Sequence, residues 1–375
     1  MIFCIVMLVL CMLFGYFSQK HSERLCANEG RAWEPRENGT YAHLEFWSIA
    51  LVVVLVFVCG LRVRYNDTGT YMQGFLQSPT LLEMDPQNLR WGDCPGFLYL
   101  QALIRSLGDN AHVFIMLCTA LSVAPVLIFL KKYSVNFFLS AFLYVTAGQF
   151  LFSLAAIKQA IAIGIAIWAI PLYHKKKYLA AILLLLLAAT FHPYVLLYLA
   201  LPVLVGKPWG VNTLFIVLVI GGMAVFFQPS MQVLLGFAES LGDDFTEESF
   251  SGAGVNVFRV LVYAMTPLLS LIFLDRVRAR EDKYQHTFIN VAILCFGIMF
   301  LALFGTANLI GRVALYLSFA LALSLPYIFS RLEKKSATAL SGIAMILYFA
   351  YYLYANRTVI LELVSLEEFI KTLFS

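Results

Sequence analysis

A series of apolar segments constrains this chain more than any other feature of its sequence. About twelve apolar runs, separated by polar breaks, approach the length that a helix needs to cross a hydrocarbon core of ~30 Å. The segments fall near residues 1–17, 46–61, 111–130, 135–153, 156–173, 178–191, 193–206, 211–227, 256–274, 287–304, 312–330 and 338–355. We therefore predict an all-α polytopic integral membrane protein with about 12 transmembrane helices.

The composition excludes several other classes of protein. Hydrophobic residues make up 61% of the 375 residues and charged residues only 13%, whereas soluble domains carry roughly 25% charged residues. A soluble globular protein and a disordered chain are both excluded. The seven cysteines are scattered, without a CxxC or a Cys/His cluster, which argues against a disulfide framework or a zinc site. No basic tract is long enough to suggest nucleic-acid binding.

The basic residues predict the orientation in the membrane. With twelve spans, one set of loops holds 17 of the 26 Lys and Arg residues, near 20–36, 131–132, 175–177, 207, 276–283 and 331–335. Cytoplasmic loops are enriched in Lys and Arg, so this set is predicted to lie in the cytoplasm and both termini outside. Treating 178–206 as one span would move the basic loop at 276–283 outside. We therefore predict a hairpin of two spans there.

The domain prediction is a single transmembrane domain over 1–375 with two long outer loops, 62–110 and 228–255. The second loop carries an acidic run at 243–248, which we interpret as solvated rather than metal-binding. The tail 357–375 has apolar residues at helical spacing and predicts a helix in the outer membrane interface. The cytoplasmic loops are too short to hold a catalytic domain.

Polar residues gather at the predicted outer ends of the spans. They are Arg62, Arg64, Asp67, Tyr71, Lys158, Gln159, His192, Arg312 and Tyr316. Charges at membrane depth are costly and usually face a polar cavity, so these residues predict one shared cavity that opens outward. Several fixed cations suit a phosphate or pyrophosphate group. Asp67 and His192 are candidates for removing a proton from a hydroxyl group.

Each of these residues also has a structural interpretation, which the sequence leaves open. Arg62 and Arg64 are placed where interfacial anchors occur, Lys158 could extend to the membrane surface, and His192 precedes a proline at a turn. Asp67 lies in NDTG, a good turn sequence. The motifs HExxH, GxSxG, GxGxxG and the Walker loop are absent, and the first outer loop has no DxD motif and no Asp-Glu pair. We predict no metal and no cofactor.

Five segments in order resemble the EpsG family, a branch of the Wzy-like polysaccharide polymerases. They are GLRVRYNDTGTYMQGF (60–75), CPGFLYLQALIRSLGDN (94–110), FSLAAIKQAIAIGIAIWAI (152–170), ATFHPYVLLYL (189–199) and GRVALYLSF (311–319). Three positions depart from the family pattern. Ala155 stands near the usual asparagine. Lys158 replaces the usual arginine and loses its bidentate geometry, and Cys94 stands where an acidic residue is common, with Asp93 one position earlier.

The resemblance implies a bacterial glycosyltransferase of the multi-span (GT-C-like) architecture in the cytoplasmic membrane. Such proteins join oligosaccharide repeat units carried on undecaprenyl pyrophosphate at the outer face, in O-antigen, capsule or exopolysaccharide synthesis. Undecaprenyl pyrophosphate leaves, and the partners would be lipid-linked glycans, membrane lipid, a chain-length regulator and a flippase. The resemblance implies pyrophosphate binding by Arg62, Arg64, Lys158 and Arg312 and sugar binding by Tyr71, Asp93, Gln159 and Tyr316. The general base would be His192 or Asp67, and the ordinary pKa of histidine favours His192.

Three other functions remain open at the level of the sequence. A glycan ligase, which transfers the finished chain to an acceptor, would use the same site chemistry. A flippase or transporter for lipid-linked sugars ranks lower, because transporters place polar residues near the middle of the membrane and in paired halves. A membrane O-acyltransferase ranks lowest, because its histidine would need cytoplasmic access.

Overall fold

In the residues that it describes, the computed structural model consists of helices and two very short strands. It describes residues 2–30, 32–35, 39–85, 87, 89–240, 254–305 and 310–373. The acidic run at 243–248 lies outside the described residues.

The helices and strands are numbered in chain order. The first nine helices are α1 (Ile2–Asn28), α2 (Phe46–Gly60), α3 (Thr68–Gln77), α4 (Pro95–Leu107), α5 (Ala111–Tyr133), α6 (Phe137–Thr146), α7 (Gln149–Ala155), α8 (Ile157–Ala166) and α9 (Ala169–His174). The others are α10 (Tyr178–Phe191), α11 (Leu201–Leu204), α12 (Val211–Val225), α13 (Phe227–Ser240), α14 (Val257–Ile272), α15 (Leu274–Arg278), α16 (Lys283–Leu301), α17 (Ile310–Leu315), α18 (Phe319–Ser330), α19 (Lys334–Ala355) and α20 (Leu366–Leu373). The 3-10 helices are Trp91–Asp93 and Pro193–Ala200, and the strands are β1 (Arg62–Arg64) and β2 (Glu362–Leu363).

Polar residues in the breaks of the sequence determine where several of these helices begin. The Asn110 side chain accepts hydrogen bonds from the backbone N–H groups of His112 and Val113 at the start of α5. Asp282 accepts one from the N–H of Gln285 at the start of α16. Such side chains satisfy N–H groups that the first turn of a helix leaves without partners. The polar breaks therefore both separate the apolar segments and start the next helix.

The protein is a helical membrane protein, as the apolar segments predict. Among the described residues, five helices are long and apolar enough to cross a membrane, or seven if each of two bent pairs counts as one span. The bent pairs are α6 with α7 and α12 with the first half of α13. Five further apolar helices are shorter, with 10–17 residues. The number of twelve spans and the GT-C-like architecture stay predictions.

The core of the bundle lies around α5, α16 and α18. The Phe129 ring on α5 meets Phe288 of α16 and Phe319 of α18 edge-on, each at a centroid distance of 5.8 Å. Apolar side chains on other helices point outward, such as Leu218 (73% exposed) and Ile346 (69% exposed). In water this surface would be an aggregation hazard, whereas lipid accommodates it. The described bundle is therefore built to be surrounded by hydrocarbon.

The segment 178–204 forms a hairpin that turns at His192. Helix α10 ends at Phe191, and the chain continues as the 3-10 helix Pro193–Ala200 and α11. Side chains near the start of α10 and the end of the second arm, including Tyr178 and Pro202, line the same groove. Pro193 has no N–H to continue a helix. Because the chain reverses its direction here, His192 lies at one end of the bundle.

The chain near the C-terminus returns to the first long loop. Strands β1 and β2 are antiparallel, with Arg62 opposite Leu363 and Arg64 opposite Glu362. The Arg64 guanidinium pairs with the Glu362 carboxylate at 3.0 Å. The described helix in the tail begins at Leu366, and the interfacial position predicted for 357–375 stays a prediction.

A buried polar cluster joins α1, α2 and α5 at the other end of the bundle. The Lys131 ammonium, 1% exposed, donates to the hydroxyl oxygens of Ser18 at 2.6 Å and Ser22 at 2.8 Å. The Ser18 hydroxyl donates to Glu45 at 2.5 Å, and Glu45 lies 3.5 Å from the Lys131 ammonium. Glu45 also caps α2 in a capping box with Ser48. This cluster fixes three helices relative to one another.

Replacing Lys131 by methionine is therefore expected to destabilise the fold by about 3–5 kcal/mol, because it leaves Glu45 without its cation in a poorly solvated position. The measurement is the thermal unfolding midpoint of the purified protein in detergent. The double variant Lys131→Met/Glu45→Gln should recover part of the loss, because a neutral amide costs less to bury than an unpaired carboxylate. The amide keeps one acceptor oxygen for the two capping bonds, which Trp47 and Ser48 donate to different oxygens of Glu45. A single variant as stable as the wild type would contradict this role of the cluster.

Candidate functional site

An open cavity of about 550 Å³ lies at the end of the bundle where α2 ends and α8 begins. Its walls come from the loop after β1, the break between α7 and α8, the first turn of α14, the start of α17 and the end of α19. The lining residues include Tyr65, Asn66, Asp67, Gly148, Phe152, Ala155, Ala156, Arg259, Arg312, Tyr351 and Asn356. The cavity therefore brings Asp67 and Arg312, both singled out from the sequence, to one space.

Asp67 and Arg312 have free charged groups within the described part of the chain. Asp67 occupies the N-cap position of α3, but its side chain makes no capping hydrogen bond. Both side chains are exposed, and neither forms an ion pair with a described residue. A carboxylate and a guanidinium that face the same cavity without partners are available to a ligand.

Arg259 is a third charged residue of the cavity and is not among the site residues predicted from the sequence. It lies in the first turn of α14, with the Tyr351 hydroxyl beside its guanidinium. Its Nε is buried and has no hydrogen-bond partner among the described residues. The signal in the sequence is the same as for Lys158, a lone cation near the predicted outer end of an apolar run. In the orientation argument it is one of the nine basic residues outside the predicted cytoplasmic loops.

His192 lies between the two arms of the hairpin and is held from both sides. Its Nδ1 is 2.7 Å from the Tyr316 hydroxyl, and its Nε2 is 3.2 Å from Nε2 of Gln159. The donor and acceptor in each pair depend on the tautomer. Burial, together with the smaller effect of the nearby charges of Lys158 and Arg312, lowers the pKa of His192 to about 4. The imidazole is therefore neutral near pH 7, with both nitrogens engaged.

Lys158 and Tyr71 form a neighbouring group on α8 and α3. The Lys158 ammonium lies over the Phe97 ring at 5.3 Å, and the Tyr71 ring meets Phe97 edge-on at 5.8 Å. The Tyr71 hydroxyl is placed to accept the backbone N–H of Lys158. Burial and then the Asp67 charge raise the pKa of Tyr71 to about 12, which keeps its phenol protonated. This group therefore lies between Asp67 and His192.

Arg62 is inside the protein rather than on the cavity wall. It is 0% exposed, and it donates to the Cys59 carbonyl at 2.9 Å and to the Thr119 hydroxyl at 2.5 Å. Its Nε and Nη2 have no partner among the described residues. Burial lowers the pKa of Arg62 to about 10, so the side chain remains charged at neutral pH. In this arrangement Arg62 could act on the cavity only through its electric field.

Arg64 and Asp93 do not line the cavity. Arg64 is exposed and pairs with Glu362, and Asp93 accepts the backbone N–H of Arg90 at 3.0 Å in the 3-10 helix before α4. Among the described residues, no group of three or more His, Cys, Asp or Glu side chains is arranged to hold a metal ion.

The fold and the cavity define a class of protein: a polytopic helical membrane protein with an open, cation-lined cavity at one end of its helices. The chain belongs to the EpsG family, whose sequence model matches residues 45–365. No curated protein and no solved structure matches the chain significantly. At the level of the family, this assignment supports a polysaccharide-polymerase type of function and glycosyltransferase-like chemistry.

Proposed function

We propose that the protein joins oligosaccharide repeat units carried on undecaprenyl pyrophosphate at the outer face of the bacterial cytoplasmic membrane. The single observation that supports this most is the cavity in which the Asp67 carboxylate shares its walls with the guanidinium groups of Arg259 and Arg312. A base beside a pair of cations suits a reaction in which a hydroxyl group attacks and a pyrophosphate leaves. A chain-length regulator and a flippase would be partners in the same pathway.

In the proposed reaction, an acceptor sugar hydroxyl attacks the anomeric carbon of the lipid-linked donor. A new C–O bond forms, and the bond between the anomeric carbon and the pyrophosphate oxygen breaks. The hydroxyl proton passes to the base, and undecaprenyl pyrophosphate leaves with the electron pair. Arg312, Arg259 and Lys158 stabilise the charge that develops on the leaving oxygen. The protein's own residues supply all of these roles.

We propose Asp67, rather than His192, as the general base. The Asp67 side chain is exposed, lines the cavity and has no capping bond, whereas both nitrogens of His192 lie within hydrogen-bonding distance of protein groups. His192 then serves as a positioning residue that holds Tyr316 and Gln159. Tyr71, Gln159 and Tyr316 do not line the cavity and stay proposed sugar contacts.

The pH dependence of the reaction distinguishes these two roles. Because the pKa of His192 is lowered to about 4, its charge changes only when the pH falls to that range, and it contributes no titration step between pH 5 and 8. We expect His192→Gln to lower the polymerisation rate while the pH profile keeps the shape of the wild type over this range. The measurement is chain elongation in proteoliposomes. If the wild-type pH profile has a titration step near pH 6–7 and the His192→Gln profile lacks it, His192 is the general base.

The proposed function is tested by comparing surface glycans and lipid-linked intermediates in a host with and without the gene. Loss of long polymer together with accumulation of single repeat units on the lipid carrier supports a polymerase. Long polymer that remains on its lipid carrier would indicate a ligase, and single units trapped on the cytoplasmic side would indicate a flippase. Restoring the gene should restore the polymer.

A further inference from the structure

A second cavity, of about 430 Å³, lies at the end of the bundle opposite the candidate active site. Its lining residues include Ala42, Lys132, Trp168, Pro171, Leu172 and Lys175. Helices α2 and α8–α9 each run from one cavity to the other, because the second cavity lies at the start of α2 and the end of α9. At 1.5 Å per residue, α2 separates the two by roughly 20 Å.

The walls of the second cavity combine two cations with apolar and aromatic surface. The Lys132 ammonium lies 5.1 Å from the Trp168 ring, which holds it at the cavity by a cation–π contact. Lys175 ends α9 and is exposed. Between them, Pro171, Leu172 and Trp168 provide an apolar wall. Tryptophan and tyrosine at such a position are typical of the membrane–water interface.

The carboxylates near this cavity are already engaged. Glu45 binds Ser18 and Lys131, and Asp282 accepts the Tyr41 hydroxyl at 2.9 Å and caps α16. Neither Lys132 nor Lys175 forms an ion pair with a residue that the structure describes. The wall is also held in place, since the Tyr41 N–H donates to the Lys132 carbonyl at 2.7 Å.

We propose that this cavity binds one anionic phospholipid of the adjacent leaflet. Its phosphate lies between the ammonium groups of Lys132 and Lys175, and its glycerol and upper acyl segments lie against Trp168, Pro171 and Leu172. Basic pockets between transmembrane helices recognise anionic lipid headgroups in this way. A phospholipid uses both the charged and the apolar walls, whereas a free phosphate ion would use only the charges. The bound lipid braces the ends of α2, α5 and α9.

The test uses delipidated full-length protein in neutral detergent, titrated with phosphatidylglycerol or with phosphatidylcholine of the same acyl chains. Native mass spectrometry should show one retained phosphatidylglycerol per chain, and the thermal unfolding midpoint should rise with its concentration, because a ligand that binds only the folded state stabilises it. The double variant Lys132→Gln/Lys175→Gln should weaken the binding of phosphatidylglycerol roughly thirty-fold. Each lysine near an anionic headgroup contributes a little over about fivefold, and the two factors multiply.

Lys176→Gln/Lys177→Gln is the matched control, because it removes the same number of charges from the exposed loop that carries Lys175, at positions outside the cavity. It should bind phosphatidylglycerol like the wild type. Equal weakening in both double variants, equal binding of phosphatidylcholine, or an equal rise of the midpoint with inorganic phosphate would overturn the proposal. If Lys132→Gln/Lys175→Gln does not fold, Lys175→Gln alone gives the same test with an expected loss of about fivefold.

Discussion

Replacing Asp67 by asparagine is expected to abolish detectable polymer while the protein remains folded in the membrane. Asparagine keeps the size of the side chain but cannot take a proton from the acceptor hydroxyl, and removing a general base typically costs about 10²–10⁴-fold in rate. The measurement is polymer length and amount in a deletion host that expresses the variant, with the amount of membrane protein determined in parallel. Single repeat units should accumulate on the lipid carrier.

The matched control for this variant is Asp109→Asn. Asp109 is an exposed aspartate at the end of the same long loop, where it pairs with Arg105 rather than lining the cavity. Exposed ion pairs contribute little to stability, so this variant should make polymer of normal length. If Asp67→Asn makes normal polymer at wild-type protein levels, Asp67 is not the base.

Replacing Arg312 by alanine should reduce polymerisation about 10²–10³-fold, the cost of removing one donor from a preorganised site that stabilises developing negative charge. Arg259→Ala should have an effect of the same order, because its guanidinium lines the same cavity. Arg312→Lys should recover part of the activity, since lysine keeps the charge and loses the bidentate geometry. The measurement is the rate of elongation in proteoliposomes at equal amounts of protein.

Arg64→Ala provides the comparison on the same side of the bundle. Its guanidinium is exposed and pairs with Glu362, so its removal should change the rate of elongation by less than about fivefold, as expected for an exposed ion pair. A loss of elongation rate as large as that of Arg312→Ala would indicate that Arg64 binds the pyrophosphate. It would contradict the placement of Arg64 outside the binding cavity.

The sequence predicts the helical membrane class and the hairpin at His192, because both depend on local patterns. Apolar length, the basic loops and the dipeptide His192-Pro193 are readable without any tertiary contact. The shared space of Asp67 and Arg312 is also predicted, since a charge at the end of an apolar segment needs a polar cavity nearby. What these residues do in that space stays a prediction.

Other parts of the site depend on contacts between distant residues, which a single sequence does not specify. Arg64 and Glu362 are 298 positions apart. No local sequence pattern therefore predicts the ion pair that holds Arg64 outside the cavity. Arg62 has the same chemical character and is nevertheless enclosed by α2 and α5. Arg259 is not distinguished by the sequence, because an arginine at the end of a span is equally well explained as a charge that sets the orientation of the protein in the membrane.

The pairing of β1 with β2 has a consequence for the order of biosynthesis. The segment just before Asp67 acquires its strand partner from residues that are made 298 positions later. Ribosomes release a chain from its N-terminus, so the edge of the loop that carries Asp67 is completed only after residues 362–363 have been made. A nascent chain that ends before these residues therefore lacks this support, and the loop assumes its final form late in synthesis.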